Sequence, residues 1–250
     1  MPRFLTALPV YNEADHVSAV LDEVLRFTPG VLVVDDGSTD GTSQLLAARV
    51  KQRGDIRVVH HPRNLGYGAA LATAFREVVA GPWDGLVTID CDGQHQPQLI
   101  PDFVAAAGGP SPDATAADIV SGSRYLTRFP GDSQPPVARR RINAEITAEI
   151  NIRLGLNLTD AFCGFKAYTR RALEHLHVTE TGYAMPLEAW VQAAAAGLRV
   201  VELPVPLIYL DLARSFGGAL DDAATRLAYY RSVLDRAEAA VAAAAPGLAP

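Results

Sequence analysis

The sharpest chemical signal in the chain is a pair of aspartates separated by one residue, Asp90-Cys91-Asp92, followed by Gly93, Gln94 and His95. Two carboxylates this close repel each other unless a cation or a set of donors lies between them. Hard oxygen ligands of this kind suit Mg2+ or Mn2+ held partly through a substrate's phosphates. An aspartate capping the following helix would look the same in isolation. Three other polar clusters accompany the pair: Pro9-Val10-Tyr11-Asn12-Glu13, Asp35-Asp36-Gly37-Ser38, and residues 61–68. Each directly follows a short apolar run.

Those runs, residues 4–8 (stopped by Pro9), 31–34, 56–60 and 86–89, read as strands. The segments between them have helical period. In the first, Ala14, Val17, Val20, Leu21, Val24 and Leu25 recur at spacings of three and four, with Asn12 and Asp15 as capping oxygens. A second helix is expected over 41–53, closed by Gly54, and a third after the turn 64–68. Such alternation predicts an α/β fold with a mostly parallel sheet flanked by helices. Ligands bind outside the carboxyl ends of such strands, so all four clusters belong to one rim.

Beyond the Gly/Pro-rich loop 108–113 and a short strand at 119–121, the alternation breaks down. Residues 124–141 hold five arginines (Arg124, Arg128, Arg139, Arg140, Arg141) against one acid, Asp132. An irregular loop feeding a helix over 138–153 is expected there. A strand at 165–168, a helix at 187–196, edge strands over 199–209 broken by Pro204 and Pro206, and a last helix over 219–244 complete the reading. No repeat or long linker divides the chain. Residues 1–250 are expected to be one domain with two functional halves, 1–122 and 123–250.

The 250 residues can bury a continuous core, and 22 Lys+Arg against 28 Asp+Glu give a net charge of −6. That balance speaks against a nucleic-acid partner, which needs a basic face. Two cysteines are too few for a disulfide scaffold, and the start of the chain does not resemble a signal peptide, so a cytoplasmic location is expected. No apolar run reaches the roughly 20 residues that span a bilayer, which leaves peripheral contact with a membrane surface. His60, His61, His175 and His177 show no metal-ligand spacing and are expected at the surface, while Cys91 should fill a small apolar spot.

Read together, PVYNE (9–13), VVDDGSTDGT (33–42), RNLGYGAAL (63–71), DCDGQHQP (90–97), GSRY (122–125) and DAFCGFKAY (160–168) resemble family 2 glycosyltransferases, specifically the dolichol- or polyprenyl-phosphate mannosyl/glucosyltransferase-like group. The resemblance implies a GT-A fold, Rossmann-like, binding a nucleotide-diphosphate sugar with Mg2+ or Mn2+. It implies that Pro9, Tyr11 and Glu13 hold base and ribose and that Asp36, with Asp35 beside it, contacts the base; which of the two points inward stays open. Gly66 and Gly68 match a turn where backbone approaches the ligand, supported by Arg63. Asp90 and Asp92 match the metal-diphosphate motif, with Asp92 the direct ligand and Gln94 a second contact.

In the implied reaction a nucleophile attacks the anomeric carbon opposite the departing diphosphate and inverts its configuration. A divalent ion neutralises the leaving group, so no general acid is required. A lipid phosphate is already anionic, whereas a hydroxyl acceptor needs a base. Arg124, Arg139 and Arg140 lie where the group carries phosphate-binding arginines, and Asn143 stands near a position often held by a small hydroxyl residue. Asp160 is either a base for a hydroxyl acceptor or a structural cap; Asp92, Asp160 and Arg124 form the expected catalytic set. Glu188 either lines the sugar pocket or pairs with an arginine.

The group's R-x-x-G, which closes over the diphosphate, begins at Arg214, but Ala219 and Leu220 replace the Ser-Lys that usually follows. The absence of QxxRW speaks against processive synthases. A sugar nucleotidyltransferase would show a Gly-rich basic loop after the first strand, which PVYNE is not. A non-catalytic nucleotide-sugar sensor is disfavoured by the intact Asp90 and Asp92. The last helix mixes acids and arginines, so it is not a polybasic anchor; its apolar face packs on the domain or on a second subunit in a homodimer.

Overall fold

The computed structural model describes residues 2–108, 116–210 and 218–244. Strands β1 (Phe4–Val10), β2 (Val31–Asp35), β3 (Ile56–His60) and β4 (Gly85–Thr88) alternate with helices α1 (Val17–Val24), α2 (Thr42–Gln52) and α3 (Tyr67–Ala80). Next come α4 (Ile100–Gly108), β5 (Ile119–Ser123), α5 (Val137–Leu154), β6 (Lys166–Thr169), α6 (Arg170–His175), α7 (Met185–Ala195), β7 (Val200–Pro204) and α8 (Ala223–Ala244). The strands form one sheet in the order β3-β2-β1-β4-β6-β5-β7. β6 alone runs antiparallel to its neighbours β4 and β5. The sheet is mostly parallel, as expected, with β6 as its one antiparallel strand among the described residues.

Both faces of the sheet are covered, which explains the near-continuous apolar runs of the early strands. Along β2, Val31 and Val33 join a core with α1 and α4, while Leu32 and Val34 join a second core with α3, α5, α7 and α8. Phe103 of α4 stacks on Phe165 with ring centroids 4.2 Å apart. Tyr230, Val233, Leu234 and Ala237 of α8 enter the second core with Ile146 and Ile150 of α5. Arg153 of α5 reaches Asp235 at 2.6 Å, and Arg231 of α8 reaches Glu149 at 2.9 Å. Of the two surfaces expected for the last helix, it packs on its own domain.

Several boundaries depart from expectation for physical reasons. β1 continues through Pro9 to Val10, because its pairing with β4 ends at Ala7 opposite Thr88 and the missing N–H of Pro9 interrupts no ladder there. α1 begins at Val17, and Asn12 does not cap it. Asn12 instead takes a left-handed conformation (φ 55°) and accepts the Thr39 N–H at 2.7 Å, lacing the turn after β1 to the turn after β2. The segment 199–209 holds one strand, β7. The last helix divides into a 3-10 turn (Gly218–Asp221) and α8. Helices α4 and α6 were not expected; α6, at six residues, is too short to display a period. The loop 109–113 lies outside the described residues.

α6 opens on a residue that closes α3. Arg170 donates through Nε to the Trp83 carbonyl (2.9 Å), through Nη1 to Val79 (2.8 Å) and through Nη2 to Val78 (3.2 Å) and Gly81 (2.5 Å). Carbonyls at a helix end lack intrahelical donors, and a cation there also complements the helix dipole. Arg170→Ala is expected to cost about 2 kcal/mol of stability, seen as a lower urea midpoint with unchanged slope. Arg170→Lys should recover less than half, since an ammonium cannot span four carbonyls in one plane.

Candidate active site

The carboxyl ends of β1, β2 and β4 open into a cleft of about 600 Å3. Pro9, Tyr11, Glu13, Asp36, Gly66, Asp90, Asp92 and Gln94 line it from the first half of the chain, and Arg124, Arg139 and Asn143 from the second. Asp35, Arg63, Gly68, Arg140 and Asp160 are not among its lining residues. Arg214 lies outside the described residues.

Successive strand residues face opposite ways, so Asp35 and Asp36 part company at the end of β2. Asp35 turns away from the cleft. It accepts the Ser38 N–H (3.0 Å), the Ser43 hydroxyl and a contact from His60 Nδ1 (3.0 Å). Burial pushes its carboxyl up, but these bonds outweigh burial and hold it below the usual range. Asp36 faces the cleft and accepts the N–H groups of Leu65 (2.9 Å) and Gly66 (2.8 Å). His61 Nδ1 lies 2.6 Å from Asp36, and its Nε2 meets the Thr73 hydroxyl at 2.9 Å. The His61 side chain is only 8% exposed, so the expectation of a surface histidine is corrected.

Asp36 thus holds the turn that carries the two glycines. A Cβ on Gly66 (φ 105°) would sit 2.3 Å from the Thr181 carbonyl oxygen, and one on Gly68 2.2 Å from that of Glu180. The close approach that requires glycine here is to the chain's own backbone at 180–181, where a ligand was expected. Arg63 is exposed and does not line the cleft. Glu188 serves the same backbone: its carboxylate accepts the N–H groups of Thr179 (2.8 Å) and Glu180 (2.7 Å). Among the described residues it neither lines the cleft nor pairs with an arginine.

Asp90 accepts the Tyr67 hydroxyl at 3.0 Å, and its N–H donates to His95 Nδ1 at 3.1 Å. A Cβ on Gly164 would fall 2.4 Å from Asp90 Oδ2. Thr88 donates to the Gly164 carbonyl at 2.7 Å, and Lys166 Nζ to that of Cys163, so the turn that seats Asp90 is itself anchored. Asp92 Oδ1 accepts the Gln94 N–H at 3.0 Å. No group of three His, Cys, Asp or Glu side chains suited to a metal occurs among the described residues. Two carboxylates at one cleft fit an ion that takes its other oxygens from a diphosphate and water. Cys91 between them is buried, as expected of a small apolar filler.

In the same cleft lining, Arg124 grips Asp160 bidentately, Nε to Oδ2 at 2.6 Å and Nη2 to Oδ1 at 2.9 Å. Asn143 Nδ2 (2.8 Å) and the Phe162 N–H (3.2 Å) also donate to Asp160 Oδ1. Burial opposes the charge on Asp160, yet the Arg124 charge and these hydrogen bonds outweigh it and bring the carboxyl down to about 2. Fully buried and with both oxygens engaged, Asp160 is placed to position Arg124 and has no path to a substrate proton. Asn143 is committed to the same carboxylate. Arg140 lies 3.7 Å above the Tyr125 ring.

Sequence reasoning passed over other lining residues: Tyr67, which stacks on Tyr183 with centroids 5.7 Å apart, and Arg226 and Tyr230 of α8. Tyr67 and Gly164 lie inside quoted motifs, but nothing in their spacing showed that both reach Asp90.

The fold is thus a mixed, helix-covered sheet whose rim carries an acidic pair and arginines in the lining of one cleft. Residues 6–177 match glycosyl transferase family 2, and the chain belongs to that family. It is a glycosyltransferase. It is 34% identical to undecaprenyl-phosphate mannosyltransferase of Micrococcus luteus over 88% of this chain and 90% of that one. It is 32% identical to polyprenol monophosphomannose synthase of Mycolicibacterium smegmatis over 96% and 91% of the two chains. Among solved structures it resembles glucosyl-3-phosphoglycerate synthase from Mycobacterium tuberculosis (TM-score 0.68, 20% identity, 95% of this chain and 80% of that one). It also resembles a mannosyltransferase from Pyrobaculum calidifontis solved with GDP-Man and Mn2+ (TM-score 0.55, 21% identity, 99% and 76%). The fold is GT-A.

Removing the Asp160 charge should leave the half-buried Arg124 without its partner, so Asp160→Asn is expected to lose about 3 kcal/mol in urea unfolding at neutral pH. The folded carboxyl titrates below its unfolded value of about 4, so its contribution is complete above about pH 4 and fades as pH falls towards 2. The stability gap between wild type and variant should therefore narrow as the pH falls from about 4 to about 2. Gly164→Ala should displace the Asp90 carboxylate and weaken Mn2+ binding in the presence of nucleotide diphosphate at least about tenfold, measured by calorimetry.

Proposed function

We propose that this glycosyltransferase moves a hexose, mannose in the first instance, from a GDP- or UDP-sugar to a polyprenyl phosphate with inversion at the anomeric carbon. The observation that carries this is that one cleft is lined by both kinds of charge: Asp90 and Asp92, which follow β4, and Arg124 and Arg139, which follow β5 and belong to α5. The named activities of the two relatives at 32–34% identity support the lipid-phosphate acceptor and the mannosyl group.

Tyr11, Glu13 and Asp36 line the part of the cleft proposed for the nucleoside, where an aromatic face and carboxylate acceptors suit a base and ribose. Asp90 and Asp92, with Gln94 beside them, would hold Mg2+ or Mn2+, which when bound supplies positive charge to the departing diphosphate. The acceptor phosphate carries its own negative charge, so its oxygen needs positioning and no proton has to be removed. Arg124, locked by Asp160, offers a fixed charge for that positioning.

The oxygen attacks opposite the leaving group, the bond from anomeric carbon to diphosphate breaks, and nucleotide diphosphate departs. Residues 1–250 are proposed to act as one domain, although the two halves are not separate in space: Gly164 seats Asp90. Among the described residues no helix is long and apolar enough to cross a membrane, so we place the enzyme in peripheral contact with the cytoplasmic surface that carries its acceptor.

Incubation of wild type with GDP-mannose or UDP-glucose, Mn2+ and a short-chain polyprenyl phosphate should give a lipid-linked sugar detectable by mass spectrometry. EDTA should abolish the product and excess Mn2+ restore it. Asp92→Ala should lower kcat/KM by about 100-fold or more. Turnover with saccharide acceptors and none with polyprenyl phosphate would replace the proposed acceptor by a hydroxyl.

A further inference from the structure

Two aspartate–histidine pairs stand side by side where β2 meets β3. The ladder sets Asp35 opposite His60, and the His61 N–H extends it by donating to the Asp35 carbonyl at 2.9 Å. Side chains alternate along a strand, so His60 meets Asp35 while His61 meets Asp36. The His60 side chain is half exposed, and that of His61 is buried. His61 does not line the cleft that Asp36 lines. With Thr73 and Arg76 of α3 it lines a separate cavity of about 400 Å3, and its hydrogen-bonded link to the cleft lining is Asp36.

A connected chain of hydrogen bonds runs from Arg76 to Asp36. A carboxylate only accepts, so the Nδ1 that lies 2.6 Å from Asp36 Oδ1 carries a proton and donates it. Nε2 meets the Thr73 hydroxyl at 2.9 Å, and Thr73 Oγ1 in turn accepts from Arg76 Nη2 at 2.9 Å. In a buried chain of this kind the loss of one member is felt by the others. At its cleft end, His61 and the Leu65 N–H both donate to Oδ1 of Asp36, and the Gly66 N–H donates to Oδ2. A carboxylate offers about four acceptor positions, so these three donors leave one, on Oδ2. Turning the carboxylate would break the bond from His61, the side-chain donor among the three.

We propose that His61 is a positioning residue of this enzyme: by holding Asp36 Oδ1 through Nδ1, it aims the remaining acceptor position of Oδ2 at a single N–H or O–H donor of the bound nucleoside. The presence of a nucleoside beside Asp36 rests on the function proposed above. His61 touches no substrate atom, and the bond that breaks is placed beside Asp90 and Asp92, so its effect falls on nucleotide affinity rather than on the transfer step.

The test compares His61→Asn with His61→Gln. An asparagine carries its amide nitrogen as far along the side chain as Nδ1 and can donate to Asp36, whereas a glutamine carries it as far as Nε2, towards Thr73. Both variants, with Asp36→Asn beside them, are titrated calorimetrically with GDP and with UDP in Mg2+, and melting temperatures are recorded. His61→Gln should weaken the nucleotide that wild type binds about fivefold or more and raise KM for its sugar nucleotide to match, with kcat within about twofold. His61→Asn should recover most of that affinity. A purely structural histidine would lower the melting temperature of both variants without dividing them in affinity. Affinity of His61→Gln within about twofold of wild type, or equal losses in the two variants, overturns the role of His61, as does a wild type that binds neither nucleotide. Should His61→Gln fail to fold, the ring-nitrogen NMR spectrum of wild type decides: the protonated Nδ1 of His61 should shift on saturation with nucleotide, and a resonance that stays in place overturns the role. Loss on Asp36→Asn without loss on His61→Gln removes His61 and leaves the nucleoside placement standing. Unchanged affinity in Asp36→Asn removes that placement, and the role of His61 with it.

Discussion

The site depends on an antiparallel strand inserted into an otherwise parallel sheet. β6 pairs with β4 in a register that sets Thr88 opposite Lys166. Extending that register by two residues brings Asp90 opposite Gly164, where a Cβ would lie 2.4 Å from the carboxylate. The same turn carries Asp160, which lies beneath Arg124, and Phe162, which packs on Tyr230. One strand insertion therefore sets the acidic wall, the arginine wall and the seat of the C-terminal helix relative to one another. The first half of the chain cannot form this cleft without the second.

Charge is managed by pairing rather than by exclusion. The chain is acidic overall, yet the cleft brings carboxylates and guanidinium groups together, some linked to each other and others directed into the space between. Asp35 and Asp160 are buried and fully hydrogen-bonded, and both stay ionised because their partners outweigh the cost of burial. They stabilise and orient. Asp36 does both kinds of work, holding the 64–66 turn through its two oxygens while facing the cleft. Such pre-bonded groups are poor proton acceptors and good fixed charges, which suits the ionised acceptor proposed for this enzyme.

How much was legible in the sequence varied with the range of the interaction. Strands β2 and β3 and the rim clusters after them follow from local apolar runs and their punctuation, and Asp90-Cys91-Asp92 announces itself by proximity along the chain. The choice between Asp35 and Asp36 was not legible, because it turns on strand twist and on where α2 and α3 dock. The glycines at 66 and 68 were visible as a turn, but their partner, the backbone at 180–181, is more than a hundred residues away. Asp160 shows the same limit: a carboxylate within a motif looks like a base until Arg124, Asn143 and the Phe162 N–H are seen to surround it.

By itself the sequence determined the family, the α/β layering, and the two chemical characters of the site, acidic oxygens after strands and arginines after the fifth strand. These are set by residue type and short spacing, which a linear reading preserves. Only the tertiary structure decided which of those residues share a cavity and which are spent on one another. It withdrew Asp160, Arg140 and Arg63 from the cleft lining and added Tyr67, Arg226 and Tyr230. The physical reason is that a side chain's role follows from its nearest charged and hydrogen-bonding neighbours, and here those neighbours come from elements remote in sequence: α3, through Tyr67, for Asp90, and the turn at Asp160 for Arg124.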